Sequence, residues 1–308
     1  MALTVTDKIK SILATQKRNE SLGAERVLSL LDEVRRQIIA ELVSMPAGSY
    51  SAYYLQSSLS SIQKHLVDWE STVTRELGAG LTNSWEAGQS LLPMAAEAAG
   101  MALRLPWIST HTLDALKDFT FGKISGVSGD LFNKIKGELT LGVLGQKTPQ
   151  EIAGQLAEAI KDHKLPVNKW GSPIFKSAAE RAEVITGLEM GRAFSIATEL
   201  SIAAAQETLP DLKRMWLHAG HPNAPRQSHL HMHGQVRKVG AAFYDTSAGA
   251  KVFYPRDPQA PISEVIRCGC THIPWHPDFG SAESFKNDFD EKQEAANKPK
   301  RLNKQQEA

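Results

Sequence analysis

The sequence predicts an α+β protein, with an elongated, mostly helical N-terminal region and a small C-terminal α+β module that contains a short antiparallel sheet. Apolar residues recur at helical spacing through the N-terminal region, which favours long amphipathic helices. After Leu209-Pro210 the spacing changes to the alternation that is typical of short strands. Of the 308 residues, 42% are hydrophobic and 22% are charged, as in ordinary globular domains.

The N-terminal region is predicted to consist of successive amphipathic helices. The first ends before Pro46, because a proline and the glycine that follows it stop a helix. A second helix is predicted over residues 53–77, and a third, interrupted one over residues 82–119. The apolar stripe of the first helix consists of Val27, Leu31, Val34, Ile38 and Leu42.

A glycine-rich stretch and two further helices are predicted before the strands. Six glycines between residues 122 and 145 predict a looser chain with short helical pieces. Thr148 as the N-cap and Pro149 at the first helical position predict a helix start. One long helix is predicted over residues 175–208.

The C-terminal module is predicted to contain short strands. Residues 213–217 and 235–239 form two of them, and residues 242–245 and 250–254 form a hairpin around a polar turn. A further strand is predicted over residues 264–272, a range that leads into and includes the Cys-Gly-Cys sequence. The module therefore brings several polar loops close to a small sheet.

Charge and hydropathy limit the classes of partner. The formal net charge is +1, so the chain as a whole has no strong field for a polyanion. The most apolar stretch, residues 91–108, contains prolines and charges, and no secretory signal or membrane span is expected. We expect a helical region at residues 1–120, a module at residues 121–280 and a mobile charged tail at residues 281–308.

Histidine and cysteine are concentrated in the module. Seven of the ten histidines and both cysteines lie between His218 and His276. Imidazole and thiolate are preferred ligands of zinc, and a disulfide between cysteines two residues apart would be strained. The sequence therefore predicts a zinc site, with Arg226 orienting the ligands. The predicted ligands are His229, His233, Cys268 and Cys270. On a helix His229 and His233 would share a face at i, i+4, and on a strand His231 would share their side as well.

Two other interpretations use the same residues. The histidines and Arg226 can form a hydrogen-bonded network that holds loops against the sheet, with the cysteines simply buried. A cysteine beside a histidine can also act as a nucleophile, and a metal-dependent hydrolase or nuclease is the enzymatic alternative. The chain lacks H-E-x-x-H, a nucleophile elbow and a phosphate-binding glycine loop, so we expect no enzymatic activity.

Several motifs follow one another over about residues 119–274, and although no single one is specific, their order and spacing together are distinctive. Their residues are Arg181, Ala182, Glu183, Ile185, Glu189, Arg192, Ala193, Trp216, Arg226, His229, Gly234, Pro255, Pro258, Pro261, Cys268 and Cys270. In this order of motifs the chain resembles the phage Mu F-like minor head protein family of tailed bacteriophages.

The resemblance implies a structural virion protein that is made in the bacterial host cytoplasm. Members of the family are minor capsid components at or near the portal inside the head, and they are implicated in head assembly, DNA packaging and ejection. The implied partners are the portal protein, other head and neck proteins, and packaged double-stranded DNA. Residues 1–120 lie outside the resemblance, and their portal-docking role is inferred from position. A soluble DNA-binding accessory protein is the non-enzymatic alternative.

Overall fold

The computed structural model describes residues 4–44, 52–106, 108–144, 151, 153–154, 175, 177–218, 226–245, 250–287 and 290. Long helices come first and short antiparallel strands follow, so the predicted α+β class is confirmed. Within the described ranges, the helices lack an apolar stretch long enough to cross a bilayer.

Four long helices precede the strands in the described part of the chain. They are α1 (Val5–Val43), α2 (Ala52–Ala98), α3 (His111–Leu144) and α4 (Ala178–Ala205). All five residues of the apolar stripe predicted for the first helix are buried, as an amphipathic helix requires. The long helix predicted over residues 175–208 corresponds to α4, which begins three residues later and ends three residues earlier.

Two predictions on helix boundaries are wrong. Helix α2 continues without a break past residue 77 and includes Pro93, and α3 runs through the glycines at residues 122–142. Glycine costs a helix about 1 kcal/mol relative to alanine, but burial of an apolar face outweighs that cost. The buried face of α3 consists of Ile124, Val127, Leu131, Ile135 and Leu139. The N-cap and proline predicted at residues 148–149 lie outside the described residues. Residues 151 and 153–154, which are described, are helical.

The chain divides into two compact units that are discontinuous in sequence. Unit 1 contains residues 1–14, 87–108 and 195–308, and unit 2 contains residues 15–86 and 109–194. The domain boundary that the sequence predicts at residue 120 therefore lies within α3. Helices α1, α2 and α4 each contribute residues to both units, and a composition change along the chain cannot reveal such a division.

Unit 1 contains two small antiparallel sheets. The first has the strand order β2-β1-β5, with β1 (Lys213–Leu217) between β2 (Val236–Arg237) and β5 (Thr271–Trp275). The second is the predicted hairpin of β3 (Phe243–Asp245) and β4 (Ala250–Val252), whose connecting residues lie outside the described part. Four of the five β1 residues are buried, as expected for a central strand.

The strand predicted over residues 264–272 is wrong. Two short helices lie in this module, α5 (Gln227–Met232) and α6 (Ile262–Val265), and the second occupies the start of the predicted strand. Strand β5 begins only at Thr271 and pairs with β1 along its whole length, with Met215 opposite Ile273. The cysteines therefore lie in the connection between α6 and β5 rather than within a strand.

The first residues of the predicted tail, 281–287, include a buried aromatic side chain. Residues 282–287 are helical, and Phe285 is buried and stacks on Phe279 with ring centroids 6.5 Å apart. Gly234 has φ +77°, and a Cβ there would lie 2.6 Å from Cδ of Lys286. The burial of Phe285 could not be predicted from the charged composition of this segment. Residues 291–308 lie outside the described part.

A close helix approach in unit 2 gives a testable prediction. A Cβ on Gly23 of α1 would lie 2.6 Å from Sδ of the buried Met190 side chain, and a Cβ on Gly80 of α2 would lie 3.1 Å from Cε of the same side chain. We expect Gly23→Leu to lower the free energy of unfolding by about 1–3 kcal/mol, because overpacking forces side chains and helices apart. Chemical denaturation measures the change.

The matched control is Gly129→Leu on α3. A Cβ on Gly129 meets no atom within 4 Å, and the residue is exposed. This substitution is expected to raise stability by about 0.5–1 kcal/mol through helix propensity alone. Equal effects of the two substitutions would contradict the close approach at Met190.

Candidate metal centre

Three of the four predicted ligands meet in unit 1. His229 lies on α5, and Cys268 and Cys270 lie in the connection between α6 and β5. Their donor atoms all lie within 4.8 Å of one another, and the residues are 2%, 4% and 3% exposed. We call these three residues the His/Cys cluster. The zinc-site prediction requires histidine and cysteine side chains to meet in space, and these three do so.

The histidine presents one ring nitrogen to both sulfurs. Nδ1 of His229 is 3.6 Å from Sγ of Cys268 and 3.4 Å from Sγ of Cys270. The edge of the ring packs against Trp216, with centroids 5.4 Å apart and an interplanar angle of 74°. Together with Trp216, the two cysteines belong to a small apolar core that also contains Met232, Phe243 and Val252.

His233 is placed elsewhere. Its Nδ1 accepts a hydrogen bond from the backbone N–H of His218 at 3.0 Å, and its Nε2 is 2.8 Å from Oδ1 of Asp290. Helix α5 ends at Met232, and the ψ angle of His233 is 128°, so residues 229 and 233 do not share a helical face. The predicted i, i+4 pair therefore does not form, and His233 instead contacts the segment after residue 280.

Arg226 positions the backbone of the cluster rather than its ligand atoms. Its Nε donates to the carbonyl of Ser263 at 2.6 Å, and its Nη2 donates to the carbonyl of Ile266 at 2.5 Å. These carbonyls lie in and just after α6, in the segment that leads to Cys268. Because Arg226 is also the N-cap residue of α5, it ties the histidine-bearing helix to the cysteine-bearing connection.

Two side chains around the cluster were not singled out by sequence reasoning. Oε2 of Glu264 is 3.0 Å from Nε2 of His229, on the side of the ring opposite the sulfurs. Arg256 is buried, has φ 63° and donates from Nε to the carbonyl of Cys268 at 2.8 Å. A left-handed backbone at a non-glycine residue is uncommon, and nothing in the local sequence predicts it.

The surroundings make the two thiols unequal. The hydrogen bond from Cys270 holds the pKa of Cys268 well below its usual value; burial opposes this shift, and His229 and the Arg256 guanidinium add to it. The pKa of Cys270 is raised well above its usual value, because its proton is engaged with the Cys268 sulfur and burial disfavours a second thiolate. Loss of the first proton from the pair is therefore easier than loss of the second.

A second buried polar group lies nearby and involves the strand that follows the cysteines. Nη1 of Arg214 on β1 donates to both carboxylate oxygens of Glu199 on α4, at 2.9 and 3.0 Å. Nε2 of His272 on β5 is 3.3 Å from the same carboxylate. The Arg214 side chain is fully buried, and it also donates to the backbone carbonyls of Lys238, Ala241 and Phe253.

The charges of this group are shaped by burial and by each other. Burial raises the pKa of Glu199, but the contact with His272 and the hydrogen bonds and positive charge of Arg214 lower it more, so the net shift is downward. Burial lowers the pKa of His272 and outweighs the opposing effect of Glu199. Glu199 therefore stays ionised and compensates the buried guanidinium.

The His/Cys cluster fits a tetrahedral metal ion. Zinc bonds of about 2.3 Å to sulfur and about 2.0–2.1 Å to nitrogen place the two donor types roughly 3.6 Å apart at a tetrahedral angle. The observed separations of 3.6 and 3.4 Å lie close to that value. Two thiolates and one imidazole can therefore hold a metal ion, with a fourth position left for a further ligand.

Thiolate beside imidazole is also the arrangement of a nucleophilic cysteine. Here both sulfurs are buried in an apolar core, whereas reactive cysteines lie in partly exposed, electropositive surroundings. Burial therefore favours a structural or metal-binding use of the cluster over a reaction with a large substrate.

Comparisons with protein-family models, with curated proteins and with solved structures find no significant match to this chain.

Proposed function

We propose that this chain is a structural minor head protein of a tailed bacteriophage, bound at the portal or neck inside the capsid and assisting head assembly and DNA packaging or ejection. One observation carries the proposal: the residues of the family-like motifs contact each other inside the folded chain. Trp216 packs on His229, His229 faces both cysteines, and Arg226 holds the connection that leads to them. Such mutual contacts favour a structural role for the motif residues over contact with a substrate.

A motif on α4 supports the same interpretation. Glu189 is fully buried and accepts hydrogen bonds from Arg192 at 2.6 and 2.7 Å and from Lys123 of α3 at 2.6 Å. The motif carboxylate is thus used to join two helices of unit 2. Its burial favours a structural role over contact with a substrate.

Basic residues of the module favour the structural role over a DNA-binding accessory role. Eight basic side chains stand against five acidic ones over residues 211–280. Arg214, Arg226 and Arg256, three of these eight, donate hydrogen bonds to carbonyls or a carboxylate of the same chain. Fewer basic side chains therefore remain to contact the phosphates of DNA.

We further propose that the His/Cys cluster binds zinc, which prefers thiolate and imidazole ligands in a tetrahedral arrangement. The ligands are His229, Cys268 and Cys270, which come from segments about forty residues apart in the chain. A bound ion would cross-link α5 to the connection before β5 and so stabilise the module.

Co-assembly with a portal tests the functional proposal. The full chain, produced with the portal and head proteins encoded beside it, is expected to sediment with portal-containing heads. Heads assembled without portal protein are the control and should recover much less of it. Equal recovery from both kinds of head would contradict a portal location.

Two further assays separate the alternatives. The purified chain should leave double-stranded DNA intact in the presence of zinc or magnesium. It should also lack the DNA affinity that falls steeply with salt in proteins neutralising several phosphates. DNA cleavage that His229→Ala abolishes would favour the nuclease alternative instead.

A further inference from the structure

A carboxylate lies behind the imidazole of the His/Cys cluster. Oε2 of Glu264 is 3.0 Å from Nε2 of His229, while Nδ1 of the same ring faces the two sulfurs. The same oxygen is 3.3 Å from the hydroxyl of Ser228, which precedes His229 in the chain. The ring is thus held from one side by a carboxylate and presents its other nitrogen to the thiol pair.

This geometry decides which ring nitrogen carries the proton. An ionised carboxylate only accepts hydrogen bonds, so a bare Nε2 at 3.0 Å would oppose one acceptor with another. A proton on Nε2 turns the contact into a charge-assisted hydrogen bond. In the neutral ring this leaves Nδ1 with its lone pair in the ring plane, on the side of the sulfurs.

Glu264 is well placed to hold that arrangement. It lies in α6, whose carbonyls and following backbone are held by Arg226, the N-cap residue of α5. The Glu264 side chain is 20% exposed and the His229 side chain is 3% exposed, so water competes little for this hydrogen bond. The Glu264 carboxylate comes from within α6 and the two thiols from the connection after it, and they reach different nitrogens of one ring.

We propose that Glu264 is a positioning residue of the metal site: it fixes His229 with its proton on Nε2, so that Nδ1 is the metal ligand. This inference rests on the proposed metal site. Carboxylates that accept from the second nitrogen of a ligand histidine orient the ring and raise its basicity, and their loss weakens metal binding about 10–100-fold.

Metal affinity of the full chain tests the role of Glu264. Zinc and cobalt(II) are titrated against a chelator of known affinity for wild-type protein and for Glu264→Gln. The expected result is zinc binding about 10–100-fold weaker in the variant. Glu283→Gln, an exposed glutamate of the same unit, is the matched control and should bind zinc as the wild type does.

The cobalt spectrum separates positioning from ligation. Glu264→Gln should keep the thiolate-to-cobalt charge-transfer absorption of the wild type, because the ligand atoms are unchanged. Cys270→Ser should lower that absorption, because it removes one thiolate. An altered ligand spectrum in Glu264→Gln would make Glu264 a ligand and overturn the positioning role.

A second measurement needs no variant. In the zinc-loaded wild-type protein, nitrogen-resolved NMR of the imidazoles should place the proton of His229 on Nε2. A proton on Nδ1 would overturn the proposal. Equal zinc affinity of wild type and Glu264→Gln would also overturn the positioning role, but it would leave the metal site intact. A wild-type chain that binds neither zinc nor cobalt would instead contradict the metal site itself.

Discussion

Replacing Arg214 by methionine is expected to lower the free energy of unfolding by about 3–5 kcal/mol, because removing one partner of a buried ion pair leaves the other charge uncompensated. Arg214 is fully buried, and Nη1 of its guanidinium donates to both carboxylate oxygens of Glu199. Methionine retains much of the apolar stem, so the loss reports the charge and hydrogen bonds rather than a large cavity. Urea or guanidinium denaturation followed by circular dichroism measures the change.

The cost comes from several groups at once. The guanidinium donates to three backbone carbonyls as well as to Glu199, and these carbonyls belong to segments on either side of the β3–β4 hairpin. A buried acceptor that loses its donor costs about 1–3 kcal/mol. Arg214 therefore joins α4, β1 and the hairpin, and its loss is expected to loosen unit 1 as a whole.

Two variants control this prediction. Lys213→Met changes the neighbouring residue of β1, whose ammonium group lies 5.4 Å from the centre of the Trp275 ring, and should change stability by less than about 1 kcal/mol. Glu199→Gln added to Arg214→Met should recover part of the loss, because it removes the uncompensated carboxylate. A double variant less stable than Arg214→Met would contradict the ion-pair explanation.

Periodicity predicted the parts of the fold that depend on a long apolar stripe. The first helix and the strand at residues 213–217 are found as predicted, because a buried helical face and a buried central strand have clear patterns. The glycines of α3 misled the prediction, because local glycine cost is visible in sequence but the burial that outweighs it is not. The two units could not be predicted, because each combines distant segments.

The candidate site was predictable in composition but not in geometry. The density of histidine and cysteine indicated one polar site, and His229, Cys268 and Cys270 do meet. His233 was chosen by i, i+4 spacing, and a helix that ends one residue earlier removed it from the cluster. Glu264 could not be identified from the sequence, because its contact with His229 spans 35 residues and depends on the unpredicted helix α6.

Zinc removal is expected to destabilise the protein by several kcal/mol. An ion that binds only the folded chain stabilises it by about 4 kcal/mol when its free concentration is a thousand times the dissociation constant. Purified protein should contain zinc, and a chelator should lower the midpoint of thermal unfolding, which re-addition of zinc restores. The physical reason is that the proposed ion would join α5 to the connection before β5.

Cys268→Ser isolates the metal contribution, because serine is close in size and is a poor zinc ligand. In the presence of chelator the variant and the wild type should unfold at similar midpoints, and in the presence of zinc the wild type should unfold at a clearly higher temperature. His231→Ala, an exposed histidine on the same helix, is the control and should retain the zinc effect. An ion that binds only the folded chain must shift its unfolding equilibrium. If the wild-type protein is purified without zinc and neither zinc nor chelator changes its unfolding midpoint, the buried thiols and imidazole serve packing alone.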